Sequence, residues 1–295
     1  MGDVAKMTGE LVVLMNQIAG VEGVSETAWP ELTVARMSTP QSRMPLHYKP
    51  SLCFVLQGQK RVFLGEQVFT YDPLHYLVVP MVLPLEMEVT QATLNRPMLG
   101  IALELDLMLL SELLISMDDL STYPAENQPA LSVSKTSSEL QSALFRLLQM
   151  LDSPSDLQIL GKTTVREILY WVLQGEQGEQ LRRLVTRDSS SFRIANVVGF
   201  INQNFDRQIN INELSILANM SSSALHQKFR QVTCMSPLQY LKKIRLHNAR
   251  SLMLEKGLKA SDAAFKVGYT NPSQFSREFK RLFGLPPVSL RNSMK

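Results

Sequence analysis

The sequence predicts an α+β fold, in which an N-terminal domain of short strands and helices precedes an all-α C-terminal domain. Three observations support this prediction: short apolar runs separated by turn residues from Trp29 to Glu104, helical periodicity after Leu105, and a change of charge near residue 187. The 295 residues are enough for two domains of roughly 150 residues each. We therefore expect one domain at 1–187 and a second at 188–295.

The first domain starts with a short amphipathic helix within residues 1–27 and continues as β-type runs. Gly58 and Gly65 separate short apolar runs, which is a hairpin signal. Several short strands at regular spacing predict a small antiparallel barrel or sandwich. Three leucine-rich helices are then predicted from the spacing of apolar residues, around Leu107–Leu114, Leu140–Leu151 and Leu157–Val172. The polar stretch Gln174–Ser191 predicts the linker between the domains.

The second domain contains an internal repeat of about 50 residues. Phe229-Arg230 and Phe279-Lys280 lie 50 positions apart, whereas matching pairs upstream lie 49 apart, so the second copy has one extra residue in its turn. Each copy predicts a helix, a tight turn and a second helix, which is the geometry of a helix-turn-helix. The second helices are expected at about Ser222–Val232 and Pro272–Phe283.

The connections of the repeat also follow from the sequence. Ser221 and Asn271 are the expected N-caps of the two second helices, and Pro272 suits a first helical position. Between the copies, Pro237 to about Leu254 predicts a longer linker helix. A rigid connector would fix the separation of the two recognition helices. To enter successive major grooves on one face of DNA, the helices must lie roughly 34 Å apart.

The second helix of each copy has an apolar face and a polar face. Spacing assigns Leu225, Phe229, Val232, Phe275, Phe279 and Leu282 to the core. Arg and Gln can hydrogen-bond base edges, and Lys and Arg can contact phosphates. The candidate contacts to double-stranded DNA are Ser222, Ser223, His226, Gln227, Lys228, Arg230, Ser273, Gln274, Ser276, Arg277, Lys280 and Arg281.

The charge distribution favours the same interpretation. Residues 188–295 contain 16 Lys and Arg against 6 Asp and Glu, a net charge of +10, whereas residues 1–187 carry −7. Such an asymmetry is a cue for a nucleic-acid-binding module. A solvated amphipathic helix remains the alternative for either copy taken alone.

Several classes of protein are not expected. The sequence has no run of about 18 uncharged apolar residues and no signal-peptide pattern, so neither a membrane-spanning helix nor a membrane partner is predicted. Cys53 and Cys234 are the two cysteines, which gives no disulfide framework and favours a reduced, cytoplasmic protein. No P-loop, nucleophile elbow or dinucleotide fingerprint is present, so we expect neither an enzyme nor a cofactor.

The two copies of the repeat contain a series of motifs in a fixed order and spacing. They are Met220-Ser221-Ser222-Ser223-Ala224-Leu225, Phe229, Ser236-Pro237-Leu238-Gln239-Tyr240-Leu241, Arg245-Leu246, Ala249-Arg250, Ala264, Val267-Gly268-Tyr269, Ser273-Gln274-Phe275-Ser276-Arg277-Glu278-Phe279-Lys280 and Gly284-Leu285-Pro286-Pro287. These motifs resemble those of the AraC/XylS-type DNA-binding domain. One departure is Cys234, where the family usually has the glycine that the second copy retains as Gly284. We expect slight strain at that helix end.

A second series of motifs lies in the first domain. It consists of Leu52-Cys53, Val55, Gln57-Gly58, Lys60, Leu64-Gly65, Tyr71, Tyr76-Leu77-Val78-Val79-Pro80, Leu83-Pro84 and Leu103-Glu104-Leu105-Asp106. With these motifs, residues of about 20–180 resemble the AraC-type regulator N-terminal domain, a cupin-like barrel followed by helices. The resemblance implies a transcriptional regulator, often an activator that contacts RNA polymerase, whose first domain senses a small effector and forms a homodimer. The alternative is a first domain that only dimerises.

A cupin-like barrel can also house a metal enzyme, here fused to a DNA-binding module. Such a metal site requires two histidines and a carboxylate, yet His47 and His75 lie 28 positions apart without a His-x-His pair. We therefore expect no metal site. The candidate effector contacts are Tyr48, Cys53, Phe54, Arg61, His75 and Tyr76. The aromatic residues among them are more typical of the core. Cys53 is expected to be a buried small hydrophobic residue, because a sensor thiol requires exposure and a lowered pKa.

Overall fold

The protein is described here by a computed structural model covering residues 2–117, 130–186 and 189–292, with side chains described from 7 to 290 within those ranges. The predicted boundary between residues 187 and 188 lies outside them. The strands are β1 Gly23–Glu26, β2 Leu32–Met37, β3 Gln41–Tyr48, β4 Ser51–Gln57, β5 Gln59–Leu64, β6 Gln67–Tyr71, β7 His75–Val79, β8 Leu83–Gln91, β9 Met98–Glu104 and β10 Ser132–Lys135. The helices are α1 Gly2–Ile18, α2 Leu107–Ser116, α3 Ser138–Gln149, α4 Pro154–Gln174, α5 Gly178–Val185, α6 Ser190–Gln203, α7 Ile211–Ala218, α8 Ser222–Thr233, α9 Pro237–Glu255, α10 Ala260–Lys266, α11 Pro272–Phe283 and α12 Pro287–Asn292.

The strands form two antiparallel sheets. One sheet has the order β1-β2-β9-β4-β7-β10 and the other has the order β3-β8-β5-β6. No ladder of hydrogen bonds joins the two sheets among the described residues, so the barrel is not closed, and the arrangement is that of a cupin-like jelly roll. Together with the helical region that follows, these sheets confirm the predicted α+β class.

The alternation of side chains along the strands determines what faces the interior. On β5, Val62 and Leu64 are fully buried, and Lys60 shares their face because successive side chains point to opposite sides. The neighbouring Arg61 points outward and lies 3.6 Å from Glu88 on β8. Because of this register, the side chain of Lys60 points into the barrel and that of Arg61 points outward.

The helices of the first domain cover the larger sheet. α1 packs on α3 and on β4, and α3 packs along α4. The side chain of Ser137 caps α3 by accepting a hydrogen bond from the amide of Leu140 at 3.2 Å. Arg146 on α3 is paired with Glu167 on α4 at 2.5 Å. The helices predicted from leucine spacing are therefore confirmed.

Two features differ from the sequence-based expectation. The polar stretch predicted as a linker contains α5, and that prediction was wrong there because Leu181 and Leu184 are buried on one side of a helix. The short strand β10 was not predicted; it extends the larger sheet by pairing with β7, with Ser134 opposite Tyr76. Four residues carry too little periodicity to distinguish a strand from a loop.

The C-terminal helices are built around the long helix α9. In the first copy of the repeat, α7 and α8 pack on α6, and in the second copy α10 and α11 pack on α9. Both helix-turn-helix units and the linker helix lie at the predicted positions. No helix in the described part of the chain is long and apolar enough to cross a lipid bilayer.

The long helix α9 also contacts the barrel. The hydroxyl group of Tyr240 donates a hydrogen bond to the carbonyl oxygen of Val82 at 2.8 Å, and Nη1 of Arg250 lies 3.4 Å from the carbonyl oxygen of Pro45. Near them, the ring of His247 lies against the ring of His47 on β3. The linker helix is thus packed between the barrel and the second helix-turn-helix.

Candidate nucleic-acid interface and barrel cavity

The second helix of the first repeat, α8, presents one polar face to solvent. Ser221 is its N-cap, with Oγ 3.3 Å from the amide of Ala224, as predicted. Leu225, Phe229 and Val232 are buried, which confirms the predicted core side. The exposed side carries Ser223, His226, Gln227 and Arg230, and Lys228 is half-buried. The four exposed side chains are accessible from solvent and can reach into a groove of double-stranded DNA.

The second repeat places α11 in the equivalent way. Oδ1 of Asn271 accepts hydrogen bonds from the amides of Ser273 and Gln274, at 2.9 and 3.2 Å. Phe275 and Phe279 are buried, whereas Leu282 is half-buried. The residues exposed on the other side are Ser273, Ser276, Arg277, Lys280 and Arg281. Both copies therefore combine a capped N-terminus, an apolar inner face and a polar outer face.

Several of the predicted DNA contacts already have partners within the protein, and Ser222 and Gln274 are two examples. The hydroxyl group of Ser222 lies 3.2 Å from that of Ser215 on α7, and it therefore helps to hold the turn. Nε2 of Gln274 donates to Oε1 of Glu278 at 3.2 Å. A base contact by Gln274 would have to replace or share that hydrogen bond.

Glu278 joins the second recognition helix to the linker helix. Its carboxylate is paired with Lys242 of α9 at 2.9 Å and accepts a hydrogen bond from the hydroxyl group of Tyr269 at 2.7 Å. Burial opposes ionisation of Glu278, but the hydrogen bonds from Lys242, Tyr269 and Gln274 outweigh burial and lower the pKa. Its position as the sole acidic residue of α11 is the sequence signal that could have identified it.

The loop before α7 supports both repeats. Arg245 on α9 donates from Nε to the carbonyl oxygen of Phe205 and from Nη2 to that of Arg207, both at 2.7 Å. Gly268, in the turn of the second repeat, has a φ of +85°, and a Cβ there would overlap the carbonyl oxygen of Asp206. Only glycine combines this backbone conformation with such a close approach.

The end of α8 shows the strain expected from the residue that departs from the family pattern. Cys234 adopts the left-handed conformation, with a φ of 57° and a ψ of 18°. The corresponding Gly284 after α11 has a φ of +77°. A side chain in this conformation costs about 1–2 kcal/mol relative to glycine, so the first recognition helix ends less favourably than the second.

A cavity of about 390 Å³ lies between the two sheets of the first domain. It is lined by three of the six predicted effector contacts, Tyr48, Cys53 and Phe54. Phe54 pairs with Tyr76 and its ring stacks on that residue, so the Phe54 side chain points to the opposite face of the sheet. Most of the remaining lining is apolar and includes Ala35, Leu46, Val55, Met98, Ile101 and Ala102. A pocket with apolar walls and a few polar groups is the usual form of a small-molecule site.

The other three predicted effector contacts lie outside this cavity. Arg61 points outward beside Glu88 because of the register of β5. Tyr76 lies on the opposite face of its sheet, where its ring stacks on Phe54 with centroids 5.4 Å apart, and burial raises its pKa to about 12. His75 is bound through Nδ1 to Asp72 at 2.8 Å. Periodicity alone did not establish which face of each strand is internal.

Lys60 and Tyr71 are polar lining residues that were not among the predicted effector contacts. Nζ of Lys60 lies 5.2 Å from the centre of the Tyr48 ring, and Tyr71 pairs with Lys60 across the β5–β6 ladder. Burial alone would lower the pKa of Lys60, but the interactions with Tyr48 and Cys53 outweigh burial and raise it. The basic side chain of Lys60 therefore borders the cavity beside the ring of Tyr48.

Cys53 is a buried member of the cavity wall. Its thiol group lies 3.5 Å from the hydroxyl group of Ser51, and burial raises its pKa. The nearby Lys49 is paired with Glu104. These surroundings are the opposite of those that activate a thiol, because the thiolate is the reactive form, and they agree with a buried small hydrophobic residue.

Histidine and acidic side chains of the barrel do not form a metal-ligating group in the part of the chain that the structure describes. Within those ranges, no three His, Cys, Asp or Glu residues come together. His47 lines the cavity and stacks on His247, with ring centroids 5.7 Å apart. Its role in the described fold is therefore packing between the domains.

Sequence comparison agrees with this two-part architecture. Residues 28–180, more than half of the chain, match the AraC-type transcriptional regulator N-terminus, and residues 214–293 match a helix-turn-helix domain. The chain belongs to the AraC-type transcriptional regulators. The resemblance noted in the sequence is thereby confirmed for both parts of this AraC-type chain.

Relatives of this AraC-type regulator include the lactose operon transcription activator of Staphylococcus xylosus, 30% identical over 99 residues that cover 34% of this chain and 36% of the relative. The transcriptional activator RhaS of Escherichia coli O1:K1 is 25% identical over 153 residues, covering 50% and 52% of the two chains. The chain thus spans about a third to a half of the length of these curated relatives. The structure of ToxT from Vibrio cholerae shares the fold, with a TM-score of 0.61 and 14% identity over 91% of this chain and 97% of that one.

Proposed function

We propose that this AraC-type protein is a sequence-specific DNA-binding regulator of transcription that responds to a small effector. The observation that carries the proposal is the pair of capped helices α8 and α11, whose exposed polar faces are held by the single linker helix α9 within a segment of net charge +10. One chain then presents two recognition helices, so it reads two adjacent half-sites.

The test is selection of bound sequences from random double-stranded DNA with the full chain. The proposal predicts an enriched motif with two half-sites about one helical turn apart, because each recognition helix enters one major groove. It also predicts that binding to the enriched motif exceeds binding to random DNA by at least about 10³-fold at physiological salt. Recovery of no motif, or equal binding to both DNAs, would refute it.

The proposed effector site is the cavity between the sheets. Its volume of about 390 Å³ and its mostly apolar lining suit a small molecule. Thermal unfolding of the protein with a library of small metabolites tests this part, since a ligand of the native state raises the unfolding temperature. A barrel that responds to no compound would support a domain that only dimerises.

We further propose that the protein acts in the cytoplasm as a homodimer and activates transcription through contact with RNA polymerase. Ile159 and Leu160 on α4 are exposed apolar residues that a second copy would cover. The relatives named above are called activators, which supports activation. Sedimentation equilibrium tests the dimer, and a reporter gene behind the selected motif tests the sign of regulation.

A further inference from the structure

The side-chain amide of Gln274 is held in place on the second recognition helix. Gln274 lies in the first turn of α11, three positions before the exposed Arg277, and residues at the N-terminal end of a recognition helix reach base edges. Its Nε2 atom lies 3.2 Å from Oε1 of Glu278, one turn further along the helix. Gln274, Arg277, Glu278 and Arg281 line one depression on this surface. Glu278 therefore holds Gln274 beside the predicted base contact Arg277.

Glu278 is a fixed hydrogen-bond acceptor. Nζ of Lys242 on α9 lies 2.9 Å from its Oε1 atom, and the hydroxyl group of Tyr269 donates to its Oε2 atom at 2.7 Å. Its side chain is only 12% exposed. Burial raises the pKa of Glu278, but the hydrogen bonds from Lys242, Tyr269 and Gln274 outweigh burial and lower it. The carboxyl group is therefore ionised, and an ionised carboxylate has no hydrogen to donate.

A partner that only accepts determines the direction in which the amide of Gln274 points. The nitrogen atom must face Glu278, because the amide oxygen would meet another oxygen with no hydrogen between them. The amide oxygen of Gln274 then points away from Glu278, and within the described part of the chain it accepts no hydrogen bond. One of the two N–H groups also remains for a second partner. A free glutamine could turn its amide over, whereas Gln274 offers its acceptor and its donor in one fixed order.

The bases of the major groove differ in the order of the same two features. Adenine presents an amino donor beside the N7 acceptor, and cytosine presents an amino donor, whereas guanine and thymine present the acceptors O6 and N7, or O4. A fixed amide oxygen can bind an amino group but meets only repulsion from a carbonyl oxygen. Adenine suits Gln274 best, because the remaining N–H group can donate to N7 at the same time.

We propose that Glu278 is a positioning residue that fixes the amide of Gln274, so that Gln274 selects a base with a major-groove amino group, adenine before cytosine, at one position of the second half-site. This inference rests on the proposed function, because it names the specificity of one recognition helix. Glu278 acts through Gln274, and Lys242 balances its charge close to the DNA.

Selection of bound sequences from random double-stranded DNA, with the full chain and with Gln274→Met, identifies the position that Gln274 reads. Methionine has a similar length and lacks the amide, so one position of the motif should lose its preference. Fluorescence anisotropy then compares four duplexes that differ only there. The natural protein should bind the adenine duplex about 5- to 150-fold more tightly than the guanine or thymine duplex.

Glu278→Met tests the positioning role. The freed amide of Gln274 can turn over and donate to guanine or thymine, so binding to those two duplexes should rise and the preference for adenine should fall at least about threefold. A variant that only loosened the helix would weaken binding to all four duplexes. Lys242→Met is the matched control, because it removes the ion pair of Glu278 and leaves the contact with Gln274; it should keep the natural preference.

The double variant separates an effect through Gln274 from a general one. When Gln274→Met is already present, adding Glu278→Met should leave the relative affinities for the four duplexes unchanged, because no amide remains to be positioned. A further change in these relative affinities would show that Glu278 acts on sequence preference by another route and would overturn the proposal.

The proposal is also overturned if Gln274→Met relaxes no position, if the relaxed position carries guanine or thymine, if Glu278→Met keeps the preference, or if Lys242→Met loses it. Thermal unfolding shows whether each variant is folded; should Glu278→Met not fold, the base that Gln274 reads in the natural protein decides. Recovery of no motif at all refutes the proposed function, whereas a motif in which Gln274 reads no amino-bearing base refutes only this inference.

Discussion

The imidazole rings of His47 and His247 stack between the barrel and the linker helix, with centroids 5.7 Å apart and planes inclined by 28°. Phe283 of α11 packs edge-on against His247 at 5.3 Å. Burial, and then the nearby His47, Arg250 and Lys243, lower the pKa of His247 to about 3. Burial also lowers the pKa of His47. Both rings are therefore neutral in the folded protein near pH 7.

This stack predicts a loss of stability in mild acid. The unfolded chain binds a proton at His247 below about pH 6.5, whereas the folded protein does not until about pH 3. The stabilising contribution is therefore present above pH 6.5 and falls as the pH drops, by up to about 1.4 kcal/mol per pH unit for one proton. His247→Phe should reduce this slope in urea unfolding between pH 6.5 and 5. The exposed His226→Gln is the control and should keep the natural slope; an unchanged slope in His247→Phe would contradict the prediction.

The left-handed residue at the end of α8 predicts a stabilising substitution. Cys234→Gly should raise the free energy of unfolding by about 0.5–1 kcal/mol, because glycine adopts this conformation without strain but loses more freedom on folding. Urea unfolding at pH 7.5 measures the change. Cys234→Ala retains the strained conformation and should give no gain. If the glycine variant is less stable, the contacts of the Cys234 side chain stabilise the protein by more than the left-handed conformation destabilises it.

The turn of the second repeat predicts a destabilising substitution with a matched control. Gly268→Ala should lower the free energy of unfolding by at least about 2 kcal/mol, because it adds backbone strain and a clash with Asp206. Gly257→Ala has the same kind of backbone, with a φ of +64° and open space around it, so it should cost only about 1 kcal/mol. Equal losses in urea unfolding would mean that the close approach to Asp206 is unimportant.

Arg277, exposed on α11, is predicted to contact a base. Arg277→Ala should weaken binding to the selected motif by about 1–3 kcal/mol and affect random DNA much less, as expected for a bidentate contact to guanine. Fluorescence anisotropy with both DNAs measures the difference. An equal loss on both would instead identify Arg277 as a phosphate contact.

Lys280, one turn further along the same helix, is predicted to contact a phosphate. Lys280→Ala should reduce the slope of log affinity against log salt concentration by about one unit on any DNA, because one fewer counterion is released. Titrations at several salt concentrations measure the slope. A slope equal to that of the natural protein would place Lys280 outside the interface.

The all-α part could be predicted from the sequence almost completely, because its helices carry strong local signals. Ser221 and Asn271 mark the helix starts, and the spacing of Phe275 and Phe279 marks the buried side.

The helix α5, which precedes this part, was not predicted. Its eight residues are mostly polar, and only Leu181 and Leu184 indicate a buried side. A short helix of this composition is stabilised by tertiary packing rather than by its own propensity.

The cavity could be predicted only in part. Tyr48 and Cys53 belong to it, but the choice of Arg61 over Lys60 depended on register, and a shift of one residue along a strand exchanges the two faces. The larger sheet is also buried on both faces. The apolar surroundings of Tyr76 therefore do not show whether its side chain points toward the cavity or away from it. Neither fact is visible until the strands are paired.

For the DNA-binding function proposed above, the loop at 205–207 limits how the spacing of the two recognition helices can change. Arg245 of α9 is bound to the carbonyl oxygens of Phe205 and Arg207, while Gly268 lies against the one between them, that of Asp206. One extra turn in α9 would move the second repeat by about 5.4 Å and break all three contacts. New half-site spacings therefore require coordinated changes in the loop, the helix and the turn, whereas new half-site sequences require only exchanges on the exposed faces of α8 and α11.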